Sequence, residues 1–349
     1  MPLDREFYGQ RTGDMTQFCG VRRSVILEGK GFGVETADLW NRRGIALTCY
    51  PGRGMDLGRM SYKGIPLSYH AKPGLTAPGY YESGGLNWLR GFFAGMLTTC
   101  GLSEVGGPDR TEHPVIGSVD LGLHGRISHA GAEDVCVHRG WDGDTYGVSV
   151  SGTVREACLH AENLTLTRTV SLKIDEPVVQ IDDVIRNESC RPAPLMLLYH
   201  INAGYPLMDE GSRFFADVSE TRPHSLAAQY DPAGWRVMGS PSDTPEKVYF
   251  HTPALNKDSW SVAGLYNEAL QMAFTVRFQG LNHLTEWRME GLGEYVLGIE
   301  PGNCNPIGRK AQEEARALEI LPPWGEKHVK LELCVLEGQE AADMVKRHD

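Results

Sequence analysis

Apolar and polar residues alternate along much of this chain. A repeat of two residues is typical of a β-strand with one buried face and one face in water. The clearest example lies between residues 164 and 174, where the apolar residues on one face are Leu164, Leu166, Val170, Leu172 and Ile174. Similar alternation at 178–185, 270–278 and 329–335 predicts further strands.

Strand-like segments recur from about residue 22 to residue 336, separated by short turns. The chain has 41 Gly and 20 Pro among 349 residues, which favours many turns over long helices. Neither a strand–helix repeat nor a repeat of fixed length appears, which argues against a parallel α/β fold, a propeller or a solenoid. The sequence therefore predicts an all-β fold, a large antiparallel sandwich with few short helices. We expect an N-terminal arm over residues 1–21 and a single domain over residues 22–349.

The charge and the cysteines narrow the class of protein. A formal net charge of −11 argues against a nucleic-acid partner or an anionic membrane surface, because both need a basic face. The N-terminus lacks the apolar segment of a signal peptide, and no run approaches the roughly 18 apolar residues of a membrane span. The eight Cys are scattered without a CxxC pair, so we expect reduced thiols and a cytoplasmic protein. The oligomeric state cannot be predicted from this pattern.

Two apolar runs end in groups that can transfer protons. The run Leu195–Leu207 contains His200 and then Asn202, and a second run closes on Glu300. Burial lowers the pKa of a histidine and raises that of a glutamate, which brings both towards neutral pH and suits a pair that exchanges protons. The alternative is structural, with His200 bonded to the backbone in the core and Glu300 paired with Arg309.

Other polar side chains are candidate ligand contacts. Arg90 follows Trp88 in an aromatic loop, where its guanidinium can donate to a sugar or stack on a ring. His124 is flanked by glycine and followed by Arg126, and glycine lets the backbone approach a ligand closely. Trp287 can stack on a sugar face or fill the core.

Two further chemistries are disfavoured by residue spacing. His124, His129 and Glu133 do not match the spacing of a metal site, so we predict no metal and no other cofactor. Asp182 and Asp183 are adjacent on a predicted strand and would point to opposite faces. They therefore cannot form the carboxylate pair of a glycosidase.

Five segments in this order resemble the galactose mutarotase-like, or aldose 1-epimerase-like, superfamily, and most closely a poorly characterised branch of it. Together they cover the chain from roughly residue 25 to residue 336. The resemblance implies a β-supersandwich fold. The segments are RGMDLGRMSYKGIPL (53–67), GGLNWLRGFFAGMLTTCGL (84–102), LHGR (123–126), LYHINAGYPL (198–207) and EYVLGIEPGNCNPIGR (294–309).

The resemblance also implies roles for individual residues. LYHINAGYP is similar to the family strand that carries the general acid, a role that the resemblance gives to His200. The segment ending in Glu300 is similar to the one that supplies the general base. LHGR resembles a His-Gly-Gly motif whose histidine, here His124, binds sugar, and Arg90 resembles the sugar-binding arginine that precedes it. The chain departs from the family in two places, with Arg126 for the second glycine and Tyr199 for an asparagine.

These roles imply an isomerase of carbohydrate metabolism that interconverts sugar anomers by opening and closing the ring. Its partner would be a small sugar, with Asn202 and Trp287 as further contacts. Arg126 and Arg309 would favour an acidic or phosphorylated sugar unless each pairs with a neighbouring acid. Two alternatives remain open, a sugar-binding sensor without turnover and a carbohydrate isomerase or lyase on the same fold.

Overall fold

The computed structural model describes residues 4–113 and 115–348. The α-helices are α1 (Arg5–Gly9), α2 (Leu226–Gln229), α3 (Arg309–Glu314) and α4 (Gly338–His348). Single turns of 3₁₀ helix lie at Met15–Gln17, Gly29–Gly31, Pro78–Tyr80, Asn87–Arg90 and Ile127–His129. The strands are β1 (Gly20–Val25), β2 (Glu35–Trp40), β3 (Ile45–Tyr50), β4 (Asp56–Tyr62), β5 (Ile65–Pro66), β6 (Tyr69–His70), β7 (Ala94–Gly95), β8 (Leu97–Leu102), β9 (Asp109–His113), β10 (Gly117–Leu121), β11 (Ala132–Asp142), β12 (Thr145–Ala157), β13 (Asn163–Lys173), β14 (Val178–Asn187), β15 (Ala193–Gly204), β16 (Arg213–Ala216), β17 (Val218–Pro223), β18 (Lys247–Pro253), β19 (Trp260–Asn267), β20 (Met272–Gln279), β21 (His283–Gly291), β22 (Glu294–Gly302), β23 (Glu319–Leu321) and β24 (Glu326–Glu337).

Two large sheets dominate the described part of the chain. The larger has the strand order β1-β2-β3-β4-β8-β15-β22-β21-β18-β17, with β5 and β23 attached to β4 and β15. The smaller has the order β11-β12-β13-β14-β24-β20-β19-β16. Neighbouring strands in both sheets pair antiparallel. The predicted all-β antiparallel architecture is therefore confirmed.

The main apolar core lies between the two sheets. Leu197, Tyr199 and Ile201 point into it from one face of β15, and Val170 and Leu172 do so from β13. Each is essentially inaccessible to solvent. Burial of one such aliphatic side chain stabilises the fold by roughly 1.5–3 kcal/mol, so the alternating strands explain most of the attraction between the sheets.

A buried ionic network also joins the sheets. Arg168, on β13, contacts Asp183 with Nη2–Oδ2 at 2.6 Å and Asp56 with Nη1–Oδ1 at 3.4 Å. The hydroxyl of Tyr199 donates to Asp183 at 2.7 Å. Because charges buried this deeply are costly unless they are paired, the network fixes how the two sheets face each other.

The opposite face of the larger sheet is covered by the loop region between β5 and β11. Met196 and Leu198, on the other face of β15, pack with Trp88 and Phe92 of this covering region in a second apolar cluster. Both faces of β15 are therefore buried, which explains why its sequence is a continuous apolar run without alternation. His200 follows Leu198 on the covered face.

The ends of the chain refine the predicted elements. The first strand begins at Gly20, and Tyr8 of α1 is buried in the main core, where its ring packs on Phe18 and Trp141. Near the other end, the short helix α3 forms at Arg309–Glu314 and α4 closes the described chain at Gly338–His348. All eight cysteines are free. Among the described residues, no helix has the length and apolar character needed to cross a membrane.

Candidate active site

A cavity of about 740 Å³ opens on the covered face of the larger sheet. It is lined by residues of the neighbouring strands β15, β22 and β21, of the covering region, and of the segment around the start of β18. Among the side chains that line it are His200, Glu300, His124, Trp287, Trp88 and Thr285. Four of the residues predicted from the sequence are thus brought to one cavity, namely His200, Glu300, His124 and Trp287.

Strand pairing sets His200 and Glu300 side by side. The register of β15 and β22, in which Leu198 pairs with Gly302 and Ile201 with Ile299, places His200 opposite Glu300. His200 Nε2 lies 3.2 Å from Glu300 Oε1, with 7% and 3% of the two side chains exposed. This contact falls outside hydrogen-bond geometry. Glu300 Oε1 and His200 Nδ1 are consequently buried polar atoms without a hydrogen-bond partner among the described residues.

Burial governs the charges of this pair. It raises the pKa of Glu300 well above its usual value, and the negative charge of Glu246 raises that pKa further. Burial also lowers the pKa of His200, and the neighbouring His124 lowers it further. Both shifts favour the neutral forms, a protonated Glu300 beside an uncharged imidazole. Because the two groups are in contact, they titrate as a pair.

His124 is held by a tightly packed loop. Its backbone has a φ of 55°, its N–H donates to the carbonyl of Gly106 at 3.0 Å, and its own carbonyl accepts from Gly101 N at 3.0 Å. Its ring centroid lies 6.1 Å from that of His200. Burial of the imidazole lowers the pKa of His124 to about 4, and its Nδ1 has no hydrogen-bond partner among the described residues. This nitrogen is therefore free to bond a ligand.

Aromatic rings surround His200. The ring centroid of His200 lies 5.2 Å from that of Phe92 and 5.4 Å from that of Trp287, and Trp88 stacks on Phe92 at 4.7 Å. Trp287 Nε1 donates to Glu246 Oε2 at 2.7 Å, which orients the indole. Such a lining combines apolar surface with a few fixed polar groups, as small-molecule sites do.

Three contributors to this cavity were not predicted from the sequence as ligand contacts. Thr285 lies opposite Glu300 in the pairing of β21 with β22, and its hydroxyl has no partner among the described residues. Lys72 and Glu294 line the cavity as an ion pair at 2.8 Å. The alternation of β21 could have identified Thr285, because Trp287 lies two residues further along the same face. No local pattern marks the ion pair, which joins distant segments.

Asn202 lies beneath the cavity. Its Nδ2 donates to the carbonyl of His200 at 2.8 Å, and its side chain is fully buried and not part of the lining. Asn202 is thus placed to support the strand that carries His200, and we do not retain it as a direct contact.

The three arginines predicted as substrate contacts lie outside this cavity. Arg90 ends the turn Asn87–Arg90 with its side chain exposed, while Trp88 of the same turn is buried and lines the cavity. Arg126 and Arg309 line a second cavity. Arg309 Nε also pairs with Glu313 Oε1 at 2.9 Å. The structural alternative of an ion pair between Glu300 and Arg309 is also absent in the described chain.

Metal ligands do not converge in the described residues: no group of three His, Cys, Asp or Glu side chains is close enough together to hold an ion. The cavity brings two groups that can transfer protons into contact. Glu300 and His200 can take and give one proton between them, and His124, Thr285 and Trp88 carry unpartnered polar atoms that can bond hydroxyl groups.

Comparison with known proteins agrees with this architecture. A family model described as a domain of unknown function (DUF4432) matches residues 31–335. No curated protein is similar in sequence to the chain. Several solved structures have the same fold. One is a protein from Klebsiella pneumoniae provisionally named an aldose 1-epimerase, with 22% identity, a TM-score of 0.84 and coverage of 95% of this chain and 91% of that one.

Two other structures extend the comparison at lower identity. A galactose mutarotase-like protein from Clostridium acetobutylicum has 13% identity and a TM-score of 0.66, over 92% of this chain and 99% of that one. The galactose 1-epimerase of Lactobacillus acidophilus has 13% identity and a TM-score of 0.60, over 92% of this chain and all (100%) of that one. The expected galactose mutarotase-like fold is therefore confirmed.

Proposed function

The chain belongs to the DUF4432 family, and we propose that it is an aldose 1-epimerase-like isomerase that interconverts the anomers of a sugar. The observation that carries the proposal is the His200–Glu300 pair, two buried side chains that line one cavity 3.2 Å apart. Its volume of about 740 Å³ falls within the range of roughly 300–1,000 Å³ of small-molecule sites. The fold shared with named epimerases supports the same class of reaction.

The reaction needs only one proton held by the pair. Glu300 takes the proton of the anomeric hydroxyl while His200 gives one to the ring oxygen. The C1–O5 bond breaks and the C1=O bond forms. Rotation about C1–C2 presents the other face of the aldehyde. Ring closure then returns both protons and leaves the enzyme unchanged. Each positioned proton-transfer group accelerates such a reaction by roughly 10²–10⁴-fold.

Substrate binding has to shift the proton of the free pair from Glu300 to His200. Burial places this proton on Glu300 in the free cavity, whereas ring opening starts with it on His200. Both arrangements have the same total charge. A sugar whose anomeric hydroxyl donates to Glu300 and whose ring oxygen accepts from His200 stabilises the second arrangement through two charge-assisted hydrogen bonds.

The lining favours a neutral sugar over an acidic or phosphorylated one. Lys72, the cation that lines this cavity, is already paired with Glu294, and Glu246 adds a further carboxylate. Arg126 and Arg309, which would have favoured an anionic sugar, line the second cavity. His124 and Thr285 are the proposed hydroxyl contacts, with Trp287 against a sugar face. The free cysteines suit the cytoplasm, where we place the protein.

Exchange NMR on a panel of aldoses tests the proposal. The wild type should accelerate the exchange between anomers, and His200→Asn and Glu300→Gln should each lower the accelerated rate by roughly 10²–10⁴-fold, since each removes one proton-transfer group. Arg90→Gln is the matched control and should exchange at the wild-type rate, because Arg90 is exposed and outside the lining.

The same panel separates the enzyme from a sugar-binding protein. Sugars that raise the melting temperature without any acceleration of exchange would indicate binding alone. Wild-type rates in both His200→Asn and Glu300→Gln would reject the assigned roles.

A further inference from the structure

A second cavity, of about 410 Å³, lies beside the hairpin formed by β9 and β10. Its other walls come from the turn before β13 and from the segment that leads into β15. None of its lining residues is shared with the candidate active site. Arg126 and Arg309 both line this cavity, although about half of the chain separates them.

Guanidinium groups are the distinctive feature of this cavity. Arg126, Arg191 and Arg309 all line it. The side chains of Arg126 and Arg191 make no ion pair or hydrogen bond with any residue that the structure describes, and both are exposed. Arg309 uses its Nε for Glu313 at 2.9 Å. Its two terminal nitrogens have no recorded partner in the described chain. Three arginines thus line a single concave surface, and the side chains of two of them have no ion-pair or hydrogen-bond partner among the described residues.

The charge of the lining is opposite in sign to that of the candidate active site. Within the described residues, the second cavity sets three guanidinium groups against the carboxylates of Glu112 and Glu162. The first cavity sets one lysine against the carboxylates of Glu246 and Glu294. Since nearby charge selects ligands by sign, the two cavities are suited to different ligands.

Apolar groups fill the rest of the second lining. Ile116 and Val119 come from the hairpin, Leu164 from the start of β13, and Pro192 and Pro194 from the segment entering β15. A simple inorganic anion would leave this surface in contact with water. A ligand with an apolar body and a charged end would cover it and pair with the arginines.

We propose that the second cavity binds a small organic anion, in which a carboxylate or phosphate is attached to an apolar body. A guanidinium fork matches both oxyanions with two parallel N–H···O bonds. The volume lies within the lower part of the range for small-molecule sites. The proposal does not depend on the reaction assigned to the first cavity.

Isothermal titration of the full-length protein with phenyl phosphate and with benzoate tests the proposal. The wild type should bind at least one of these anions saturably, and the tighter of the two identifies the preferred charged end. Phenol, which has the same ring without the anion, should not bind. The double substitution Arg126→Gln with Arg191→Gln should weaken binding by about tenfold for each guanidinium lost. Both arginines are exposed and unpartnered, so the variant should keep the wild-type circular dichroism and melting temperature.

Two controls locate the ligand. Arg90→Gln removes an exposed arginine outside both cavities and should bind as the wild type does. Glu300→Gln should also leave anion binding unchanged, because Glu300 lines only the first cavity. The proposal is overturned if the wild type binds neither anion saturably, if the double variant binds with wild-type affinity, or if Glu300→Gln abolishes binding.

Discussion

Glu246 offers a way to perturb the proposed catalytic pair without replacing either of its members. Its carboxylate lines the cavity and accepts from Trp287 Nε1 at 2.7 Å. Its negative charge is one of the two causes that raise the pKa of Glu300. Glu246→Gln removes this charge, while the amide oxygen can still accept from the indole. We therefore expect the substitution to lower the pKa of Glu300 and to leave the shape of the cavity unchanged.

The sign of the effect on the pH–rate profile follows from the proton count. The active pair holds one proton, and that proton is lost as the pH rises through the raised pKa of Glu300. Glu246→Gln should thus move the alkaline limb of the profile to lower pH. On the acid side a second proton must add to His200, whose pKa is lowered to about 3, so both proteins should keep their activity down to about pH 4.

The expected shift is small and measurable. Glu246 is exposed, and exposed charge pairs contribute roughly 0–1 kcal/mol. Because 1.36 kcal/mol corresponds to one pKa unit, the alkaline limb should move by about half a pH unit. Exchange NMR of the anomers as a function of pH, after subtraction of the uncatalysed rate, measures this shift.

Glu112→Gln is the matched control, since it removes one exposed carboxylate from the lining of the second cavity. Its profile should superimpose on that of the wild type. The reasoning is refuted if Glu246→Gln leaves the limb in place or moves it to higher pH. It is also refuted if the acid limb has its midpoint near 6.5, the ordinary pKa of histidine, because His200 would then not be governed by burial.

Two further substitutions test the frame around the site. Arg168→Ala removes the partner of the buried Asp183 and should lower the free energy of unfolding by about 3–5 kcal/mol. Chemical denaturation measures this loss, and a loss below about 1 kcal/mol would contradict a stabilising ionic network. Gly125→Ala places a Cβ against the carbonyl oxygen of Gly101 at a backbone φ of 71°. The substitution should therefore displace the loop that holds His124 and reduce the rate of anomer exchange. An unchanged sugar affinity and exchange rate would show that the loop does not position His124.

The fold could be predicted because most strands report their burial through alternation. The strand β13 has apolar residues at alternate positions, and its one exception on the buried face is Arg168. A charged residue in an apolar register is itself a signal for a buried ion pair. Its partners Asp56 and Asp183 lie on β4 and β14, so their meeting depends on how the sheets pack, and no local pattern contains that information.

The candidate site was only partly predictable for a related reason. His200 and Glu300 stand out as titratable side chains in two apolar runs, whereas their position opposite each other depends on the register of β15 and β22. Arg90 had the right neighbours in the sequence, but the turn Asn87–Arg90 directs Trp88 inward and Arg90 outward. Side-chain direction in an irregular loop depends on its own backbone geometry, whereas in a strand it follows from counting by two.

Neighbouring residues of β15 point to opposite faces of the sheet, so Tyr199 contributes to stability and His200 to the proposed reaction. Tyr199 points between the sheets and donates to Asp183 at 2.7 Å, whereas His200 points to the cavity beside Glu300. Replacing Tyr199 by Phe leaves a buried carboxylate short of one donor and should cost about 1–3 kcal/mol of stability. His200→Asn should instead reduce turnover, because it removes one of the two proposed proton-transfer groups. A pair built across two central, antiparallel strands keeps its spacing through the sheet's own hydrogen bonds, so the geometry that proton transfer requires is already set before a sugar enters.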